Sequence, residues 1–250
     1  MKLTDKFLLP KLTWWLLLLI PLVLFGFFPT YYGKLFDKLP SIYHVHATFM
    51  SLWVIMAIVQ PYLINTKKAK MHRLIGKASY FIMPVVLFTA WLMIRHSYFL
   101  FITGEADRAK TERVVVDLDK LSQDAATYMR IGVLYWLWLL VFYTLAVVNR
   151  KRLLYHSTFM LAAVLTLLGP TVDRILYHVY GWLKISPDPF IATFLLIDIL
   201  LLVILIYQRR NGKSPWPVFI SLAIYLVGQL IFYFLPGLGI WRILIEPFQL

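Results

Sequence analysis

The amino-acid sequence predicts an all-α membrane protein, a polytopic helix bundle with seven transmembrane helices in a single integral membrane domain, residues 1–250. Composition is the first reason for this prediction. Hydrophobic residues make up 61% of the chain and charged residues 15%, against about 45–50% and about 25% in soluble domains. The apolar residues also gather into runs long enough to cross a hydrocarbon core of about 30 Å. The absence of cysteine excludes disulfides, Cys-ligated metal centres and thiol nucleophiles.

The first apolar run, residues 12–28, follows Lys2, Lys6 and Lys11 in the manner of a secretory signal peptide. The run is longer than a signal peptide requires, and no small-residue cleavage site follows it. We therefore predict a retained helix that bends near Pro21.

Six further apolar runs complete the predicted set of helices. They are residues 43–64, 78–101, 131–148, 159–180, 190–207 and 216–235. Residues 102–127 mix acidic and basic side chains, which predicts a solvated outer loop with a short helix. The tail after Pro236 places Trp241 beside Arg242, a pattern typical of a segment that lies in the membrane interface.

Basic residues concentrate in alternate gaps between the runs, with one acid, Asp5, among them. These gaps contain Lys2, Lys6 and Lys11; Lys67, Lys68, Lys70, Arg73 and Lys77; Arg150, Lys151 and Arg152; and Arg209, Arg210 and Lys213. The positive-inside rule then predicts a cytoplasmic N-terminus and an extracytoplasmic C-terminus. Because this placement explains the net charge of +13, we expect the lipid bilayer as a partner and no nucleic acid.

The histidines sort into two layers under this topology. The cytoplasmic layer contains His72 and His156, and the outer layer contains His44, His46, His96 and His178. Within one helix the layers are about 33–36 Å apart, at about 1.5 Å of rise per residue. No single cofactor would contact both layers.

The cytoplasmic layer predicts a haem b site. His72 precedes Arg73, and His156 shares a helix face with Met160. Imidazole and thioether are both axial ligands of haem iron, and the Arg73 guanidinium suits a haem propionate. The alternative is a basic interface that contacts lipid phosphates without any cofactor.

The outer layer predicts a zinc or copper site built from His46, His96 and His178. His44 lies two residues from His46, about 200° around a helix, so we expect it to point elsewhere. Arg174 lies one turn before His178, and we expect it to bind an anionic group such as a propionate, a hydroxide or a substrate carboxylate. The alternative is that these side chains extend to the interface as anchors.

Asp198 lies near the middle of the sixth run. An ionised carboxylate is costly at this depth, so Asp198 is a candidate for a proton relay. The alternative is a neutral acid that is hydrogen-bonded to a neighbouring helix.

A group of spaced motifs resembles the bacterial multi-pass membrane family called domain of unknown function 2306. The motifs are Tyr43-His44-Val45-His46, Leu52-Trp53, Gln60, His72-Arg73-x-x-Gly76-x-x-Ser79-Tyr80, His156-x-x-x-Met160 and Arg174. The resemblance covers about residues 40–180. It implies a membrane fold in the bacterial inner (plasma) membrane without implying a reaction. Phe159 stands where the family tends to have Trp. A more distant similarity to b-type cytochrome membrane proteins involves only the histidines at helix ends.

Three functions remain open from the sequence. The first is electron transfer through a histidine-ligated haem b, with a membrane or periplasmic redox partner. The second is a zinc or copper site at the outer face, for metal handling or for hydrolysis with Asp173 as the base. The third is a structural or assembly subunit of a larger membrane complex.

Overall fold

The computed structural model describes residues 12–185 and 187–246, and every regular element within these ranges is a helix. The helices are α1 (Leu12–Leu17), α2 (Leu19–Phe27), α3 (Ser41–Asn65), α4 (Ala69–Glu112), α5 (Leu118–Val148), α6 (Leu153–Leu165), α7 (Leu168–Leu183), α8 (Pro189–Arg210), α9 (Trp216–Phe234) and α10 (Ile240–Ile245). A single 3-10 turn, Tyr32–Lys34, lies between α2 and α3.

Six segments of the fold are long and apolar enough to cross a membrane. They are α3, α4, α5, α6 together with α7, α8 and α9. On α8 the side chains of Ile199, Val203 and Ile206 are each more than half exposed. A continuous apolar exterior of this kind is unfavourable in water and matches hydrocarbon. The chain is therefore a multi-pass helical membrane protein.

Prolines divide two of the predicted helices. The first run forms α1 and α2 with a break at Leu18, because Pro21 has no N–H to donate to the carbonyl of Leu17, one turn earlier. The fifth run is divided in the same way between α6 and α7, where Pro170 leaves the carbonyl of Thr166 without its helical donor. Both breaks lie about one turn before the proline, as the geometry of the ring requires.

Residues 102–127, predicted as a loop with a short helix, instead form the end of α4 and the start of α5. Ion pairs one turn apart support the extension of α4, including Arg108 to Glu112 at 3.1 Å. Asp117 caps α5 by accepting hydrogen bonds from the backbone N–H groups of Asp119 and Lys120. A solvated helix of mixed charge has the same low hydropathy as a loop. Hydropathy alone therefore did not distinguish the observed helices from the predicted loop.

Consecutive helices joined by short turns pack side by side, which makes them antiparallel neighbours. The turns 66–68, 149–152 and 211–215 therefore lie at one end of the bundle, which we call the basic end. The connection 113–117 lies at the opposite end, as do the end of α7 and the start of α8. Helix α1 packs against α3, and α2 packs against α7.

The tail after Pro236, predicted to lie in the interface, packs on the opposite end of the bundle as α10. It contacts α4 and α5, where the indole of Trp91 donates to the carbonyl of Leu244 at 2.9 Å. Trp241 is only 2% exposed. Hydrogen bonds to Asp119 and Glu246 raise the pKa of Arg242, so this guanidinium ties α10 to the start of α5 as a permanent cation.

Candidate functional site

The basic end brings the two predicted haem ligands into the same region. His72 lies in the first turn of α4 and His156 in the first turn of α6, and both helices pack against α5. The Nδ1 atom of His156 lies 2.9 Å from the carbonyl oxygen of Ala146 on α5. Because that oxygen only accepts, Nδ1 carries the proton and Nε2 is free to bind a ligand.

Several buried polar atoms near His72 have no hydrogen-bond partner among the described residues. They are Nδ1 of His72, Oε1 of Gln60 and, deeper on α3, Nε1 of Trp53. The other amide atom of Gln60 donates to the backbone carbonyl of His72 at 3.3 Å, so α3 and α4 are joined at this point. Unsatisfied buried polar atoms are costly in a protein interior, and they often mark a place that a ligand completes.

A second polar contact, between two hydroxyl groups, lies in the bundle core. The hydroxyls of Ser79 and Tyr143 are 2.9 Å apart, and the Tyr143 ring meets the Trp53 indole edge to face at 5.8 Å. Analysis of the sequence did not identify Tyr143 as part of a site. No local signal marks a tyrosine within the apolar run of α5.

The two remaining members of the predicted haem site lie beside the histidines. Arg73 is exposed at the basic end, and Met160 is half-buried and packs against the hydrophobic core. The donor set fits a haem: two imidazoles on separate helices, one of them oriented by a backbone carbonyl, and an exposed guanidinium near the surface.

At the opposite end, the four predicted metal ligands have separate neighbours. The Nδ1 atom of His44 lies 3.1 Å from the Tyr31 hydroxyl. The Nδ1 atom of His46 lies 3.0 Å from Oγ1 of Thr89 on α4. His96 packs against the ring of Tyr43 at 5.8 Å.

His178 lies away from these three, in an apolar groove of about 250 Å³ between α2 and α7, with Phe25 and Trp182 among its neighbours. Throughout residues 12–185 and 187–246, no three His, Asp or Glu side chains form a group that could hold a metal ion.

Asp173, the expected base of a hydrolytic site at the outer face, is the centre of a buried network at this end. Its two carboxyl oxygens accept hydrogen bonds of 2.6 Å each, one from the Tyr135 hydroxyl on α5 and one from the Thr193 hydroxyl on α8. Asp173 is 8% exposed. Gly169, one turn earlier on α7, leaves the space that the Tyr135 ring occupies. The feature of the sequence that marks this network is the isolated Gly-Pro pair before Asp173.

Arg174 follows Asp173 but has different contacts. One guanidinium nitrogen donates to the carbonyl of Pro170 at 2.6 Å, and the group lies over the ring of Phe27 at 4.6 Å. Arg174 therefore lies between α2 and α7.

Asp198 is half-buried between α8 and α9, where it accepts a hydrogen bond of 3.1 Å from the amide of Gln229. Its charge also acts on the buried Tyr225. The contact joins two helices within their membrane-length segments.

Comparison of the chain with protein families, curated proteins and solved structures finds no match.

Proposed function

We propose that this protein is a bacterial inner-membrane electron carrier that binds haem b at its basic end through His72 and His156. The observation that carries the proposal is the geometry of His156. Its Nδ1–H is held by the Ala146 carbonyl at 2.9 Å, and His72 lies in the first turn of a different helix at the same end of the bundle. Metal-ligating histidines are commonly oriented through such a second hydrogen bond, which also selects the tautomer.

The neighbouring residues support the same assignment. Nδ1 of His72 and Oε1 of Gln60 are buried without hydrogen-bond partners in the described chain. Unsatisfied buried polar atoms destabilise the folded protein, so a bound group that contacts them would stabilise it. Arg73 is exposed beside them and would bind a carboxylate at the membrane surface. The motifs His72-Arg73-x-x-Gly76 and His156-x-x-x-Met160 are also those that resemble the family named domain of unknown function 2306.

The haem would supply one-electron redox chemistry at its iron. The chain itself contributes two imidazoles, a positive charge at the surface and an apolar wall from α5. Trp53 and Tyr143 lie deeper in the bundle, where both side chains are buried and their rings meet edge to face.

We propose further that the chain crosses the membrane seven times, with the basic end in the cytoplasm and the C-terminus outside. The first crossing would be α1 with α2. Helix α2 ends at the opposite end of the bundle, where Gly26 packs closely on Thr171 and Tyr31 meets His44. The start of α1 is then directed toward the basic end. The basic turns of the bundle satisfy the positive-inside rule in this orientation.

The haem assignment is tested by absorbance spectroscopy of the protein purified in detergent. The reduced-minus-oxidised spectrum is expected to show a b-type band, which His72→Ala and His156→Ala each abolish. His178→Ala, at the opposite end, is the matched control and keeps the band. A wild-type protein that binds no haem when haem is added would refute the assignment, and so would full haem content in both basic-end variants.

A further inference from the structure

Arg174 lacks a carboxylate partner within the described part of the chain. The ion pairs of the structure lie elsewhere, on α4 and between α5 and α10. The nearest acid is its chain neighbour Asp173, whose charge acts on Arg174. Both oxygens of that carboxyl are already bound by Tyr135 and Thr193, on a different side of α7.

The contacts of Arg174 use only a small part of its hydrogen-bond donors. A guanidinium carries five N–H donors, and Arg174 uses one nitrogen toward the Pro170 carbonyl. The Phe27 ring under the guanidinium adds a weak attraction for the positive charge. A cation within a membrane helix is costly unless it is paired or wet, so these contacts leave most of that cost uncompensated.

The direction of the side chain argues against a role as an interfacial anchor. An anchoring arginine extends toward the headgroups at the nearer membrane surface. Helix α7 runs toward the opposite end of the bundle, so the Pro170 carbonyl lies one turn deeper than Arg174. The guanidinium is thus turned back along α7, over the Phe27 ring of α2.

We propose that Arg174 is the anchor of an oxyanion-binding site toward the opposite end of the bundle, formed between α2 and α7. The ligand is a carboxylate or phosphate oxyanion, held by the guanidinium N–H groups that the Pro170 carbonyl leaves free. This site is independent of the proposed haem: Arg174 and His156 are 18 residues apart along α6 and α7, or roughly 27 Å. The oxyanion comes either from a solute or from an anionic lipid headgroup.

Ligand-dependent thermal stability of the full chain tests this site and separates the two sources. A ligand that binds the folded state alone raises the melting temperature. One arm adds sodium phosphate or sodium acetate to protein in neutral detergent, against sodium chloride at equal ionic strength. The other compares nanodiscs of phosphatidylglycerol with nanodiscs of phosphatidylcholine. Stabilisation in the first arm identifies a solute, and stabilisation in the second arm alone identifies a lipid headgroup.

The Arg174→Gln variant is expected to lose the ligand-dependent stabilisation in whichever arm shows it. Lys184→Gln removes one exposed positive charge at the same end of α7 and keeps the stabilisation. If Arg174→Gln does not fold, Arg174→Lys replaces it in the test. Lysine keeps the positive charge but lacks the forked N–H donors of arginine, so the affinity for the oxyanion is expected to fall about tenfold. A wild type stabilised in neither arm would overturn the proposal, as would an Arg174→Lys variant that binds as tightly as the wild type. The haem spectrum is unaffected in every case.

Discussion

Replacing Gly169 with alanine is expected to disrupt the buried network around Asp173. A Cβ atom at position 169 would lie 2.3 Å from Cζ and 2.4 Å from Cε1 of Tyr135. Carbon atoms in contact are about 3.5–4.0 Å apart, so the ring has to move by more than about 1 Å. Tyr135 is only 7% exposed, and the surrounding core leaves it no free space.

The displacement also breaks the 2.6 Å hydrogen bond from Tyr135 to Asp173. A buried acceptor that loses its donor costs about 1–3 kcal/mol, and overpacking of a core costs about 1–3 kcal/mol. Alanine recovers up to about 1 kcal/mol in a helix relative to glycine. The free energy of unfolding should therefore fall by about 1–5 kcal/mol.

Thermal unfolding in detergent, followed by circular dichroism, measures this effect. Gly181→Ala on the same helix is the matched control, because a Cβ there meets no atom within 4 Å. Its melting temperature should equal or slightly exceed that of the wild type. In a Tyr135→Ala background, Gly169→Ala should add almost no cost, since the clashing ring is gone. Equal stability of Gly169→Ala and Gly181→Ala would show that the packing argument is incorrect.

Two further predictions concern the ends of the bundle. A topology reporter fused after Leu250 should be extracytoplasmic, and one inserted in the turn 66–68 cytoplasmic; a cytoplasmic signal from both would eliminate the seven-crossing arrangement. Trp241→Ala should lower the free energy of unfolding by about 3–5 kcal/mol, because it removes a large buried side chain between α10 and α5. Hydrogen exchange should then be faster in α10, and unchanged exchange there would mean that Trp241 does not hold this helix.

Hydropathy alone was enough to predict the class of protein and the position of six of its membrane-length helices. Each predicted run from 43–64 to 190–207 lies within one of these segments, and 216–235 exceeds α9 by one residue. The physical reason is that lipid requires about 20 consecutive apolar residues with all backbone groups bonded within the segment. Such a signal is local in the chain. It failed for residues 102–127, where solvated helices carry no hydropathy signal.

Which residues come together in each site could be determined only from the tertiary structure. Asp173, Tyr135 and Thr193 come from three helices, and their meeting depends on how each helix is rotated about its axis and on the space left by Gly169. The same is true of the outer histidines: sequence position placed them at one end, but His44 and His46 contact different elements. His156 and Ala146 lie on consecutive helices, yet their hydrogen bond depends on how α6 packs against α5. Depth in the membrane is determined by the order of residues along one helix, whereas contact depends on the packing of several helices.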